Sequence, residues 1–113
     1  MKFTTNEPLT GVGEDLVSGL PRRFELFAPY PNPLRGEAHV KFALPRRTKV
    51  ELSVYDIQGR RVKVLAHGVY EAGYHVVRFD GRDSRGRRLS QGVYFLRLMA
   101  GDYRRTRKMV LVR

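Results

Sequence analysis

Cysteine is absent from all 113 residues, which excludes a disulfide frame, thiolate metal sites and a thiol nucleophile. That absence does not fix the cellular compartment. No apolar run approaches the roughly 18 residues of a membrane-spanning helix. The first 20 residues carry Glu7, Glu14 and Asp15 and lack an apolar core, so they do not read as a secretory leader. If the natural protein is exported, the chain is expected to be part of something longer. Acidic side chains are also scarce: 11 Asp and Glu stand against 22 Lys and Arg, for a net charge of +11.

Such a charge raises the possibility of nucleic-acid binding through phosphate neutralisation. The cations, however, recur as Arg46-Arg47, Arg60-Arg61, a group from Arg85 to Arg88 and another from Arg104 to Lys108, mostly at turns and strand ends. That is the pattern of decorated loops, and nucleic acid ranks last among the functional readings. The apolar share is 42%, ordinary for a globular domain, and the length suits one domain with a real core.

Residues 1–23 hold Gly11, Gly13, Gly19, Pro8 and Pro21 without a sustained period and are expected to be a flexible linker. Asp15-Leu16-Val17 could form one transient helical turn. From Phe24 the pattern alternates every second residue. Phe24, Leu26 and Ala28 form one set, and Tyr30-Pro31-Asn32-Pro33 then forces an edge or corner, because each proline fixes φ and lacks a donor. Val40, Phe42 and Leu44 alternate with polar neighbours, as do Val50, Leu52 and Val54. Asp56-Ile57-Gln58-Gly59-Arg60 reads as a hairpin turn, and a strand over residues 61–65 follows with Val62 and Val64 on one face. Residues 66–73 are expected to be a loop. A strand over residues 74–80 aligns His75, Val77 and Phe79. After a polar connection, a strand places Tyr94, Leu96, Leu98 and Ala100 on one face against Phe95, Arg97 and Met99. Gly101-Asp102 turns the chain into a last strand, residues 103–112, whose inward set is left open by the pattern. Its edge is expected to be open to a partner. Residues 24–113 thus form an all-β, seven-stranded antiparallel β-sandwich, with a partly open barrel as the runner-up.

No catalytic constellation emerges. His39, His67 and His75 show no ligand-pair spacing. Ser53 alternates with core valines, and Ser84 and Ser90 lack a nucleophile elbow. Asp80 and Asp83 read as turn-capping residues. A calcium loop over residues 80–86 falls short of the oxygen count that calcium needs and is interrupted by Arg82 and Arg85. No cofactor, metal or catalytic activity is expected.

Several stretches together carry a family resemblance: Tyr30-Pro31-Asn32-Pro33; Val54-Tyr55-Asp56-Ile57-Gln58-Gly59-Arg60-Arg61-Val62; Phe79-Asp80-Gly81-Arg82-Asp83; Gly92-Val93-Tyr94; and Arg107-Lys108-Met109-Val110. In this order they resemble the C-terminal sorting domain of proteins exported by the type IX (Por) secretion system, which is similar in turn to the immunoglobulin-like domain of the flagellar hook-capping protein. The resemblance covers residues 24–113. It implies an immunoglobulin-like sandwich that acts as an address at the end of a larger cargo protein. The partners it implies are the outer-membrane translocon, a sortase-like peptidase that commonly removes the domain on surface anchoring, and the upstream cargo domain. The implied location is secreted or cell-surface, by way of the periplasm and outer membrane.

Carried over residue by residue, the sorting motifs are Pro31, Asn32 and Pro33 at the corner, Gly92 and Tyr94 at the opening of the next-to-last strand, and Lys108 and Val110 near the end. Leu34 stands where an aromatic often follows the corner, and Phe79 where tryptophan is common. The alternative is an immunoglobulin-like structural or hook-capping-type interaction module.

Overall fold

The computed structural model describes residues 19–113; the considered turn at Asp15-Leu16-Val17 and most of the expected linker lie outside that range. Seven strands form: β1 (Glu25–Leu26), β2 (Ala38–Leu44), β3 (Thr48–Tyr55), β4 (Arg61–Tyr70), β5 (Gly73–Phe79), β6 (Gly92–Ala100) and β7 (Tyr103–Leu111). They build a three-stranded sheet, β1-β2-β5, and a four-stranded sheet, β4-β3-β6-β7, with every strand pair antiparallel. Among the described residues no helix is long and apolar enough to cross a membrane.

The core follows the period of two that a pleated strand imposes. Val40, Phe42 and Leu44 from one sheet meet Val50, Leu52, Val54, Tyr94, Leu96, Leu98 and Ala100 from the other, all buried in one cluster. In β7 the inward set is Met109 and Leu111. Register decides this, since Met109 lies opposite Tyr94 and Leu96 opposite Arg107, so the odd positions of β7 share the inner face of β6. Val110 and Val112 are half-buried on the alternate set. His75 also faces inward, its ring stacked on Phe42 at 5.2 Å and edge-on to Tyr70 at 5.2 Å.

Three local expectations need correction. Residues 66–70 are strand rather than loop: β4 continues to Tyr70, with Ala66, Gly68 and Tyr70 opposite Leu52, Val50 and Thr48, and the connection shrinks to Glu71-Ala72. The turn read at Glu71-Ala72-Gly73 stands, but the residues before it pair with β3, and that pairing overrides the weak local strand signal around Gly68. Secondly, Val62 and Val64 do not share a face. Register shifts in the β3–β4 ladder leave Val62 and Leu65 without opposite partners. Both pack against the core, while Val64 is 40% exposed. An extra residue in a bulge re-aims the side chains around it, which a strict alternation cannot anticipate. Finally, Ala28 is exposed, and Pro29 takes the buried position beside it.

Strand polarity brings the starts of β2, β4 and β6 and the ends of β3, β5 and β7 to one pole of the sandwich. That pole is tightly built at Gly81, which has φ +74° and whose missing Cβ would sit 3.1 Å from the Gly36 carbonyl oxygen. Gly81→Ala meets both a left-handed backbone and a backbone contact that cannot yield, so it is expected to destabilise the fold by about 1–2 kcal/mol. Urea unfolding of the variant checks this, and an unchanged midpoint would contradict it.

Candidate functional site

The Pro31-Asn32-Pro33 corner moves the chain from one sheet to the other. Tyr30 still pairs with His39 beside β2, through main-chain bonds of 3.1 and 2.7 Å. Two residues later the Asn32 side chain lies along the outer edge of β7. Its Oδ1 accepts the Val110 N–H at 2.9 Å, and its Nδ2 donates to the Lys108 carbonyl at 3.2 Å. The main chain then takes over. Leu34 N–H donates to the Val110 carbonyl at 2.9 Å, and Val112 N–H donates to the Leu34 carbonyl at 3.0 Å, forming a short parallel bridge.

Chemistry explains the division of labour. Proline has no N–H for a ladder, whereas an asparagine amide offers a donor and an acceptor spaced like a peptide group. Asn32 therefore continues the edge where its two neighbours cannot. Both X–Pro bonds of the corner are cis. The edge of β7 expected to be open is thus covered from Lys108 to Val112.

Gly92 opens β6 opposite Leu111, and Tyr94 lies opposite Met109. The Tyr94 ring is buried, its hydroxyl donates to the Ser90 carbonyl at 2.7 Å, and burial pushes its pKa above the ordinary tyrosine value. The three segments that hold the carried-over motif residues therefore meet around the end of β7. Pro31, Asn32, Pro33 and Lys108 are exposed, Gly92 and Val110 half-buried, and Tyr94 buried. Leu34, noted in the sequence after the corner, is fully buried as the bridge to β7, whereas sequence reasoning missed Arg113, whose guanidinium reaches the carbonyls of Leu89 and Gly81. Nothing in the sequence marks Arg113.

The same pole carries two loops of one design. In residues 56–60, Asp56 Oδ1 accepts the N–H groups of Gln58 and Arg60, both at 2.9 Å, and Oδ2 accepts Arg60 Nε at 2.8 Å. In residues 83–87, Asp83 Oδ1 accepts the N–H groups of Arg85 and Arg87, both at 2.9 Å, and Oδ2 accepts Arg87 Nε at 3.1 Å. Gly59 and Gly86 take matching left-handed φ values of +83° and +81°, which the shared turn requires. The main-chain bond from Arg60 N–H, with other N–H donors and the guanidinium, holds the Asp56 carboxyl below the usual range, and Arg87 does the same for Asp83.

A carboxylate with a depressed folded-state pKa stabilises the fold above its unfolded value, near 3.9, and loses that contribution as pH falls through the folded value. The melting temperature is accordingly expected to hold from neutral pH to about pH 4 and to fall below it. The acid loss should shrink in an Asp56→Asn/Asp83→Asn double variant. Melts at pH 3, 5 and 7 test this, and equal acid losses in the two proteins would contradict it.

The remaining candidates are placed in structural settings. His39 packs against Tyr30 with the rings tilted by 33° at 5.4 Å, and it lies 3.8 Å from Glu37. His75 Nε2 sits 2.8 Å from the Glu71 carbonyl oxygen, and His67 is exposed. Ser53 is buried with no partner for its hydroxyl among the described residues, and Ser84 Oγ donates to the Val62 carbonyl at 3.2 Å. Asp80 accepts the Arg82 N–H at 3.0 Å and lies 3.8 Å from Lys63 Nζ. Asp80 and Asp83 therefore each serve a turn of their own.

Two packed antiparallel sheets of three and four strands, joined by a segment that bridges first to one and then to the other, define an immunoglobulin-like sandwich. The chain belongs to the FlgD Ig-like domain family, which matches residues 32–102. No curated protein matches it. Among solved structures it is similar to dimeric latent PorU from Porphyromonas gingivalis, with 22% identity, a TM-score of 0.66, and coverage of 79% of this chain and 9% of that one. It is also similar to PorZ, an essential surface component of the type IX secretion system of Porphyromonas gingivalis. There identity is 23%, the TM-score 0.54, and coverage 78% of this chain and 11% of PorZ. A third likeness is to the alkylpurine DNA glycosylase AlkC of Pseudomonas fluorescens, at 16% identity, a TM-score of 0.50, and 76% and 29% coverage. At these identities the likenesses show the fold, and this chain spans about a tenth of the length of the two Por proteins.

Proposed function

We propose that residues 24–113 are a non-catalytic sorting domain that directs a larger cargo protein across an outer membrane through the type IX secretion system, with residues 1–23 as the linker to that cargo. The observation that carries the proposal is the meeting of the three motif-bearing segments at the end of β7, through the bonds of Asn32 to Lys108 and Val110 and the pairing of β6 with β7. An address needs a surface that is held rigidly yet remains readable. Here Pro31, Asn32, Pro33 and Lys108 are exposed on a frame fixed by two neighbouring segments. The likeness to PorZ supports the reading. On this proposal Lys108 and the corner are what the translocon reads, Gly92, Tyr94 and Val110 hold them in place, and a surface peptidase releases the domain afterwards.

Membership of the FlgD Ig-like family favours a second reading, a structural module of the hook-capping kind. One experiment separates the two. A periplasm-targeted reporter fused ahead of residues 24–113 is expected to reach the outside of a type IX-competent host and to stay in the periplasm when the translocon is removed. Retention in both hosts would reject sorting and leave the structural module.

A further inference from the structure

The two matched loops do more than repeat a turn, because they face one another across a cleft. Its volume is about 510 Å³, within the range of small-molecule sites. Four arginines line it, Arg60, Arg61, Arg85 and Arg87, with Asp56 and Asp83 as the acidic lining residues.

The loop design decides which charge the cleft presents. Each carboxylate is folded inward onto main-chain N–H groups, and the Asp56 and Asp83 side chains are only 15% and 17% exposed. The Arg60 and Arg87 side chains that they hold are 74% and 70% exposed. In both pairs the carboxylate accepts from Nε, which restricts the plane of the guanidinium. A guanidinium pre-oriented in this way loses less freedom when it binds a two-pronged oxyanion. Arg61 is tied by Nη1 to Glu51 at 2.8 Å, and Arg85 has no ion-pair partner among the described residues. With Glu51 counted as the partner of Arg61, four arginines against three carboxylates leave an excess of one positive charge.

We propose that this cleft binds a phosphate monoester, the anion whose two charges and tetrahedral oxygens match paired, carboxylate-anchored arginines. The group could come from free phosphate or from a phosphorylated small molecule, and the two sources are distinguishable. The test is an amide-resolved titration of the folded chain with inorganic phosphate, glucose 6-phosphate and glucose at fixed ionic strength.

Both phosphates are expected to shift the amides of residues 56–61 and 83–90, while glucose should not. Tighter binding of glucose 6-phosphate than of phosphate would assign the cleft to an esterified ligand, and equal binding would assign it to the phosphate group alone. Affinity for glucose 6-phosphate should fall about fourfold from pH 7.5 to 5.5, as an ester phosphate with pKa near 6 takes up its proton. Arg60→Gln/Arg87→Gln is expected to weaken binding at least tenfold. Because that variant also loosens the loops, Arg85→Gln provides a second reading: its side chain anchors neither loop, and it should cost about threefold, as one exposed charge-assisted contact would. Arg47→Gln at the opposite pole should change nothing. Equal losses from Arg47→Gln, the absence of shifts at the two loops, or tighter binding of a DNA duplex through the same arginines would overturn the proposal.

Discussion

Phe79→Ala is expected to lower the unfolding free energy by about 3–5 kcal/mol, the usual cost of deleting a fully buried aromatic ring. Phe79 is 0% exposed and closes β5 opposite Ala38, immediately before the Asp80-Gly81 turn. The cavity would open under the pole that carries the sorting segments, where the Gly81–Gly36 contact leaves little room for collapse. A domain of this size has total stability of about 5–15 kcal/mol, so the variant should be marginal. Urea unfolding measures it, and a loss below about 1 kcal/mol would mean that the ring is not packed as described.

Deleting residues 108–113 should have a larger effect. It removes Met109 and Leu111, both 0% exposed, from the core. Each is worth about 2–5 kcal/mol by the cost of truncating a buried aliphatic side chain. The deletion also strands the Asn32 amide, the Leu34 bridge and the β6 groups that paired with the lost strand. The sum approaches the whole stability of a small domain, and loss of a cooperative thermal transition is expected. Lys108→Ala, by contrast, removes an exposed side chain while leaving the carbonyl that Asn32 bonds, so it should stay within about 0.5 kcal/mol of the parent. A truncated domain that still melts cooperatively within a few degrees of the intact one would show that the end of β7 is peripheral.

Much of the fold was legible because one rule governs it. Alternation placed Phe42, Val50, Leu52, Leu96 and Leu98 inside, since each sits on a regular strand with one face in the core. The rule failed where the backbone breaks period two. Val62 and Leu65 turn inward at register shifts, and such shifts depend on the partner strand, which a local pattern does not contain. Residues 66–70 read as loop until β3 is laid beside them. The inward set of β7 was undecided because Val110 and Val112 are as apolar as Met109 and Leu111, and only the pairing with β6 distinguishes them.

The site was partly legible. Pro31 and Pro33 announce a corner, but that Asn32 would reach 78 positions along the chain to Val110 is a tertiary fact. The likeness of residues 56–60 to residues 83–87 lies open in the sequence as a repeated Asp-x-x-Gly-Arg. It acquires meaning only when folding sets the two loops on one cleft.

The central claim is that the domain is an address read at the end of β7, and one comparison tests it most directly. Reporter fusions carrying residues 24–113, intact or with Lys108→Ala, can be scored for protease accessibility on whole cells of a type IX-competent host, with melting temperatures taken on the purified domains. The account predicts an accessible intact fusion, a Lys108→Ala fusion retained in the periplasm, and equal melting temperatures. Export of Lys108→Ala at the intact level, or retention of the intact fusion, would contradict it.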